Sequence, residues 1–459
     1  MNAIIISAIW GVIMMFGGLF LKQSSAIRSL AIAGLLVLLG ANVWETYHSA
    51  FLKIDTHGML DFGRFGLFFN TIAFAATLVY VLLSGNDITK VGNKSNAADY
   101  FALIFFILAG VGIVSSFGSL LMLFLGIEII SIPLYVLAGS DKKNLKSNEA
   151  SLKYFLMGAF STGIMLMGIA LIYGAKGTFF IDTIAIGAGK LTPLMASGLI
   201  LLLISMAFKV SAAPFHFWTP DVYDGSPTVF TSFMATIVKA AAFIGFVRLF
   251  ERSFGAAKEE WQLLVAIITA ATLIIGNVTA VFQQSVKRML AYSSIAQAGF
   301  MMFAIFTLND FAKEGIILYA AAYSLATIGI FAVLIRMKDY TFEGFNGLAK
   351  SNPLLAAVIT IFLLSLAGIP LTAGFFAKYY MLTAAIKSGT YFWLVIVAIV
   401  CAAISVYYYF RVIQAMYFRE GDAEVGPVSG GFKALLLVVA GIIVLIGVWP
   451  QLLLNYLYF

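Results

Sequence analysis

The chain has 459 residues, of which 62% are hydrophobic and 11% charged, with a mean hydropathy of +1.01 and a formal net charge of +7. A soluble domain carries about 25% charged residues, so this composition describes an integral membrane protein with most of its length in lipid. The single cysteine, Cys401, excludes an internal disulfide, a CxxC pair and a cysteine-held cluster. The three histidines, His48, His57 and His216, are not at ligand spacing within one apolar segment, which argues against a haem, and no GxGxxG or P-loop supplies a nucleotide site.

Apolar stretches of about 20 residues cross the hydrocarbon core as helices. In chain order they fall at 3–21, 27–44, 65–84, 100–115, 119–140, 150–173, 192–213, 226–248, 262–283, 289–309, 315–335, 353–386, 391–417 and 434–457. This is an all-α polytopic membrane protein of about 14 transmembrane helices. The first stretch is too long for the core of a signal peptide and has no basic segment before it, so it is read as a span. The charge-free run 100–127 is too long for one crossing, and SSFGS at 115–119 supplies a turn. Loops after odd-numbered spans hold 14 lysines and arginines against 9 after even-numbered spans. The positive-inside bias then places odd loops in the cytoplasm and both termini outside. The net positive charge is used by this topology and calls for no nucleic acid.

Five basic residues and one acid remain inside spans: Lys153, Lys209, Lys239, Lys378, Arg411 and Glu128. Each charge at mid-bilayer costs about 2.5–3.5 kcal/mol on insertion scales, so such groups face a bundle interior or water and mark a polar pathway. Lys153 and Arg411 lie near span ends, where snorkelling is the competing explanation. Ser232, Thr236 and Lys239 recur at i, i+4 and i+7, as do Tyr407, Arg411 and Gln414, while Glu128, Ser131 and Tyr135 recur at i, i+3 and i+7. Tyr319, Tyr323 and Thr327 form an uncharged stripe. Hydroxyl groups at helix contacts account for the serines and threonines, but not for the lysines. Desolvation disfavours a lysine's charge and a nearby carboxylate restores it, so a buried lysine with a movable partner can load and release a proton. Arginine cannot.

Two spans are interrupted. The segment AFKVSAAPFHFWTPDVYDG at 207–225 places Lys209 before Pro214, and span 353–386 carries Gly368, Pro370 and Gly374 ahead of Lys378. Both spans open on Pro-Leu, at 193 and 353, which suggests an internal repeat of about five spans. Unwound backbone in a membrane is tolerated where it lines a cavity, the usual transporter device. A simple proline kink is the alternative.

Four segments carry a resemblance: AFKVSAAPFHFWTPDVYDGSPT, LFLGIEIISIPLYVLAGS, KRMLAYSSIAQAGF and LLSLAGIPLTAGFFAKYY. Over residues 60 to 420 the chain resembles the antiporter-like membrane subunits of proton-pumping NADH:quinone oxidoreductase, respiratory complex I. PFHFWTPDVYDGSPT has the N-type form. There is no long C-terminal lateral helix as in the L type, and Lys378 stands where the M type has glutamate. The resemblance implies two inverted five-helix repeats, spans 4–8 and 9–13, with domains at 1–99, 100–250, 260–420 and 430–459. It implies proton-translocation roles for Glu128 as partner of Lys209, for Lys239 as central lysine, for Lys378 as terminal lysine, for Lys153 as an additional relay lysine and for His216 as a connection between half-channels. A histidine merely satisfied near the membrane surface remains the competing reading of His216. The resemblance further implies FMN, iron–sulfur clusters and quinone in other subunits and none in this chain. It implies M-type and K-type neighbours and contact with the L-type lateral helix; length and composition favour a bacterial inner membrane, with an organelle-encoded version as the alternative. A subunit of a multisubunit cation/proton antiporter is the alternative.

Overall fold

The computed structural model describes residues 1–21, 23–92, 96–185 and 191–458; Lys22, Lys94 and Lys190, three of the loop charges used to orient the chain, lie outside them. Among the described residues the secondary structure is helical, with isolated β-bridges in place of any sheet. Among the described residues eleven helices are long and apolar enough to cross a membrane, and the apolar helices Pro193–Lys209 and Pro353–Ala367 are shorter. One of the eleven, Thr228–Val281, runs 54 residues and is divided by a 3-10 turn at Gly255–Ala257. The chain is thus a multi-pass membrane protein. The last expected span, 434–457, is instead a helix over Gly430–Val448 followed by Gln451–Tyr458, because Pro450 interrupts the apolar run.

The chain divides into two compact units: Met1–Ser211 with Gly225–Phe230 and Ile237–Val265, and Ala212–Asp224 with Thr231–Thr236 and Ala266–Phe459. In the first, helix Ala97–Ser116 is surrounded by Asn2–Phe20, Arg64–Ile88 and Leu120–Ala138. The expected turn at 115–119 is present: Phe117 and Ser119 are extended, bridged to Leu60 and Phe180, and the Ser119 hydroxyl caps Leu120–Ala138 by accepting from Met122 N at 3.3 Å. Helices Leu145–Lys176 and Pro193–Lys209 touch at Gly168 and Gly198, where a Cβ on either would come within 2.9 Å of the other's carbonyl oxygen. Small residues allow such close backbone approach in membranes. The crossing brings Ser161 and Ser205 together, with Ser205 Oγ donating to Ser161 O at 2.9 Å.

Loops of this unit are tied by a charge cluster. Arg248 donates to the Phe117 carbonyl at 2.8 Å and to Asp61 Oδ2 at 3.1 Å; Arg252 reaches the same Asp61 oxygen at 2.8 Å and grips Asp182 at 2.8 and 2.6 Å. Burial works against the Asp61 charge, but the two guanidinium groups outweigh it and hold the carboxyl below its ordinary range. Glu45, just beyond the expected span 27–44, lies in helix Ser24–Tyr47 and is buried, accepting from Asn2 N at 2.8 Å and from the Met1 ammonium at 2.7 Å. Backbone hydrogen bonding carries the helix past the point where the apolar run stops.

In the second unit, helices Val286–Thr307 and Asp310–Leu334 are almost wholly buried, packed by Pro353–Ala367, Ala373–Ser388, Phe392–Phe418 and Gly430–Val448. The short helix Trp218–Gly225 is latched to the start of Val286–Thr307: Lys287 Nζ donates to the Asp224 carbonyl at 2.8 Å and Arg288 pairs with Asp221 at 3.1 Å.

Candidate functional site

Lys209 is the last residue of a helix that begins on the Thr192 cap with Pro193 in its first turn. The helix stops there: Val210 and Ser211 follow, Ser211 at φ +66°. A left-handed residue that is not glycine carries local strain, and such positions cluster where chains are switched or clamped. The Lys209 ammonium donates to Ser131 Oγ at 3.0 Å. Ser131 stands three residues after Glu128 on helix Leu120–Ala138, which tolerates Pro133 within it. Glu128 accepts from Thr162 Oγ1 at 2.8 Å. Glu128 and Lys209, both half-buried, therefore share one polar pocket of the first unit, each held by a hydroxyl group and not in direct ion-pair contact with the other.

Lys239 is 2% exposed. A π-helical turn over Met234–Val238 precedes it, with helix Lys239–Phe254 following. The i, i+4, i+7 face drawn through Ser232, Thr236 and Lys239 assumed regular α geometry. A π turn holds about one extra residue, which rotates Lys239 by roughly 100° from that position. The sequence carries no signal for it. π turns of this kind are frequent at functional sites.

The break in span 12 is explicit. Helix Pro353–Ala367 ends at Gly368, φ +85°, with Gly368 N and Ile369 N both donating to Leu364 O at 3.0 Å; helix Ala373–Ser388 begins after Leu371, φ +71°. Lys378, in the second half, reaches back to the carbonyl of Ala367, the last residue of the first half, at 2.8 Å, and its Nζ lies 4.7 Å from the Phe300 ring centre. Lys378 follows its break and Lys209 precedes its own, yet Lys209 ends its half-helix and the Lys378 ammonium reaches the last carbonyl of the preceding one, so both stand at a C-terminal end, where the helix dipole favours a cation. Beside Lys378 is a cavity of ≈ 10 Å³ lined by Gln297, Tyr319, Tyr323 and Ser365, about the space one water requires. Gln297 organises this wall. It donates to Leu366 O at 2.9 Å and to Tyr409 Oη at 3.0 Å, and accepts from Tyr319; Tyr409 in turn is 2.5 Å from Ser293 Oγ. Tyr319 was visible as part of a stripe; Gln297, Tyr409 and Thr162 carry no charge and had no signal in the pattern of charges.

His216 is buried between Ser211 and helix Trp218–Gly225, its ring stacked on Phe217 at 4.6 Å. Its Nδ1 makes no well-formed hydrogen bond, although the Pro214 backbone acts on the ring from nearby. Lys153 is paired with Glu149 at 2.7 Å, one turn earlier on its own helix, with 42% of its side chain exposed. Arg411 donates to the carbonyls of Val281 at 2.6 Å and Gln283 at 3.4 Å, and lies 4.1 Å from the Phe342 ring centre. It closes the carbonyl end of the helix that finishes at Val281.

The sequence pattern of a family described as the NADH:quinone oxidoreductase/Mrp antiporter transmembrane family matches residues 118–405, a stretch that contains Glu128 and Lys378. The NADH-quinone oxidoreductase subunit N of Cytophaga hutchinsonii is 42% identical over 461 residues, covering 99% of each chain. That of Flavobacterium psychrophilum is 37% identical and covers 100% of both. A chain of respiratory complex I from Thermus thermophilus superposes with a TM-score of 0.83 at 32% identity, covering 99% of this chain and 98% of its own. A chain of the Mrp complex from Dietzia superposes with a TM-score of 0.88 at 19% identity, covering 99% and 96%, and shares the fold.

Proposed function

The chain belongs to the NADH:quinone oxidoreductase/Mrp antiporter transmembrane family, and on that premise we propose that it is the N-type proton-translocating subunit of a complex I membrane arm. The observation that carries the reading is a set of ammonium groups held inside helical units at breaks and a π turn, with Lys239 and Lys378 2% and 6% exposed. A structural scaffold gains nothing from buried cations that each cost about 2.5–3.5 kcal/mol. A proton relay needs groups that can be charged or neutral in place, which lysine permits and arginine does not.

In this reading the chain makes about 14 crossings arranged as inverted repeats over 100–250 and 260–420, lies in a bacterial inner membrane and has both termini outside. FMN, iron–sulfur clusters and quinone sit in other subunits, and M-type, K-type and L-type subunits are its neighbours. Quinone reduction elsewhere changes the field at Glu128. When the carboxylate is withdrawn from Lys209, the ammonium loses its counter-charge and releases its proton toward Lys239 and then Lys378. His216 connects the half-channels, and Lys153, with Glu149 beside it, extends the relay. The antiporter alternative has a likeness of fold at 19% identity, against 42% identity to an N-type relative.

The test is Lys239→Ala in the assembled complex, in sealed membrane vesicles energised with NADH. Electron transfer to quinone with little or no vesicle acidification supports the relay; acidification at the parental rate refutes it.

A further inference from the structure

Thr162 does not belong to the pattern of buried charges, yet its hydroxyl is the group that touches Glu128. It lies 2.8 Å from Glu128 Oε1 and 2.9 Å from the Gly158 carbonyl of its own helix. A hydroxyl has a single proton to donate, so the two acceptors compete for it. Ser131 is the complement. It spends its proton on the Ile127 carbonyl at 2.7 Å and offers its lone pairs to the Lys209 ammonium at 3.0 Å. Neither hydroxyl is free to drift. Thr162 is buried on a helix pressed against the Lys209 helix at Gly168 and Gly198, and Ser131 shares a helix with Glu128.

We propose that Thr162 and Ser131 are positioning residues that hold Glu128 and Lys209 apart, each on its own hydroxyl, and release them into contact without stranding a buried polar group. This rests on the reading that the Glu128–Lys209 pair governs proton movement. If the carboxylate leaves Thr162, the hydroxyl turns to the Gly158 carbonyl already within reach. If the ammonium leaves Ser131, the serine keeps its bond to Ile127. An orphaned buried donor would bias such an equilibrium by roughly tenfold or more; here neither arrangement creates one. Neither state therefore carries the penalty of a stranded donor, and a change of field can shift the pair between them.

The inference is tested in the assembled complex, in vesicles, by NADH-driven acidification per NADH oxidised and by turnover. Thr162→Val keeps the shape and removes the proton donor, so Glu128 collapses onto Lys209 and proton release slows, by roughly ten- to a hundredfold for loss of a hydrogen bond to a charged group. Ser131→Ala, on a different helix, acts in the same direction and carries the test if the valine variant fails to assemble. Thr162→Ser restores the parental rate. Parental rates in Thr162→Val or Ser131→Ala, or a Thr162→Ser variant as slow as Thr162→Val, each overturn the inference. Lys239→Ala measured alongside separates the two levels. If it is inactive while Thr162→Val is unaffected, the positioning role alone falls; if it pumps normally, the relay reading falls and this inference with it.

Discussion

Lys378 allows charge and proton exchange to be separated. The residue is 6% exposed, its ammonium bonded to the Ala367 carbonyl at 2.8 Å and 4.7 Å from the Phe300 ring centre. Burying the charge costs about 2.5–3.5 kcal/mol. The charged hydrogen bond returns about 1.5–3 kcal/mol, and the aromatic face about 0.5–2 kcal/mol. These terms nearly cancel. Lys378→Met should therefore change stability by no more than about 1–2 kcal/mol, with the orphaned Ala367 carbonyl included. At about 2–4 °C per kcal/mol for a unit of this size, the complex should melt within a few degrees of the parent. Lys378→Arg keeps the positive charge but cannot shed a proton under these conditions. The expected result is two variants that assemble, reduce quinone and acidify vesicles weakly or not at all. Differential scanning of the purified complex reads the stability, and a pH-sensitive dye in energised vesicles reads the pumping. Parental acidification by Lys378→Arg would show that the site needs a cation and not an exchangeable proton, and the relay argument for Lys378 would be refuted.

Two further outcomes concern residues outside the relay. Arg411→Ala strips the Val281 and Gln283 carbonyls of their donor, at a cost of about 1–3 kcal/mol. Thermal stability should fall while protons moved per NADH stay constant; a change in that ratio in an intact complex would contradict a purely structural role. The Asp61 cluster should respond to acid. Its carboxyl is held below its ordinary value of 3.8, so its contribution is fully present above that value and is lost as pH falls through the lowered one. Because 48% of the Asp61 side chain is exposed, the effect is no more than about 1 kcal/mol. Protection from hydrogen exchange over residues 48–63, relative to the intrinsic rate at each pH, should hold at pH 7 and fall by up to about fivefold below about pH 4, and Asp61→Asn should show the lower protection already at pH 7. Equal exchange in parent and variant at pH 7 would remove the cluster as the element that fastens this loop.

Much of the architecture follows from composition. Lipid cannot hydrogen-bond a peptide group, so a chain with mean hydropathy +1.01 must satisfy its backbone internally, and helices do so within each segment. The isolated charges mark themselves for the same reason: Glu128, Lys239 and Lys378 are conspicuous because everything around them is apolar. The break at Gly368–Pro370 and the turn at 115–119 are likewise written in residues with known backbone limits.

What the sequence could not decide is how polar groups meet across helices. Thr162 faces Glu128, and Gln297 joins Tyr319 to Tyr409, only because separate helices cross at particular points, and a hydroxyl or amide looks the same in the sequence whether it faces such a partner or a neighbouring carbonyl. The π turn before Lys239 is a further case. One extra residue per turn changes which side of the helix the ammonium takes, and that depends on packing around Met234–Val238 and not on local preference. The chain by itself determined that it crosses the membrane many times and which charges it carries inside; the tertiary structure alone decided that Glu128 and Lys209 stand apart on two hydroxyls, because hydrogen-bond partners from different helices are selected by geometry in three dimensions.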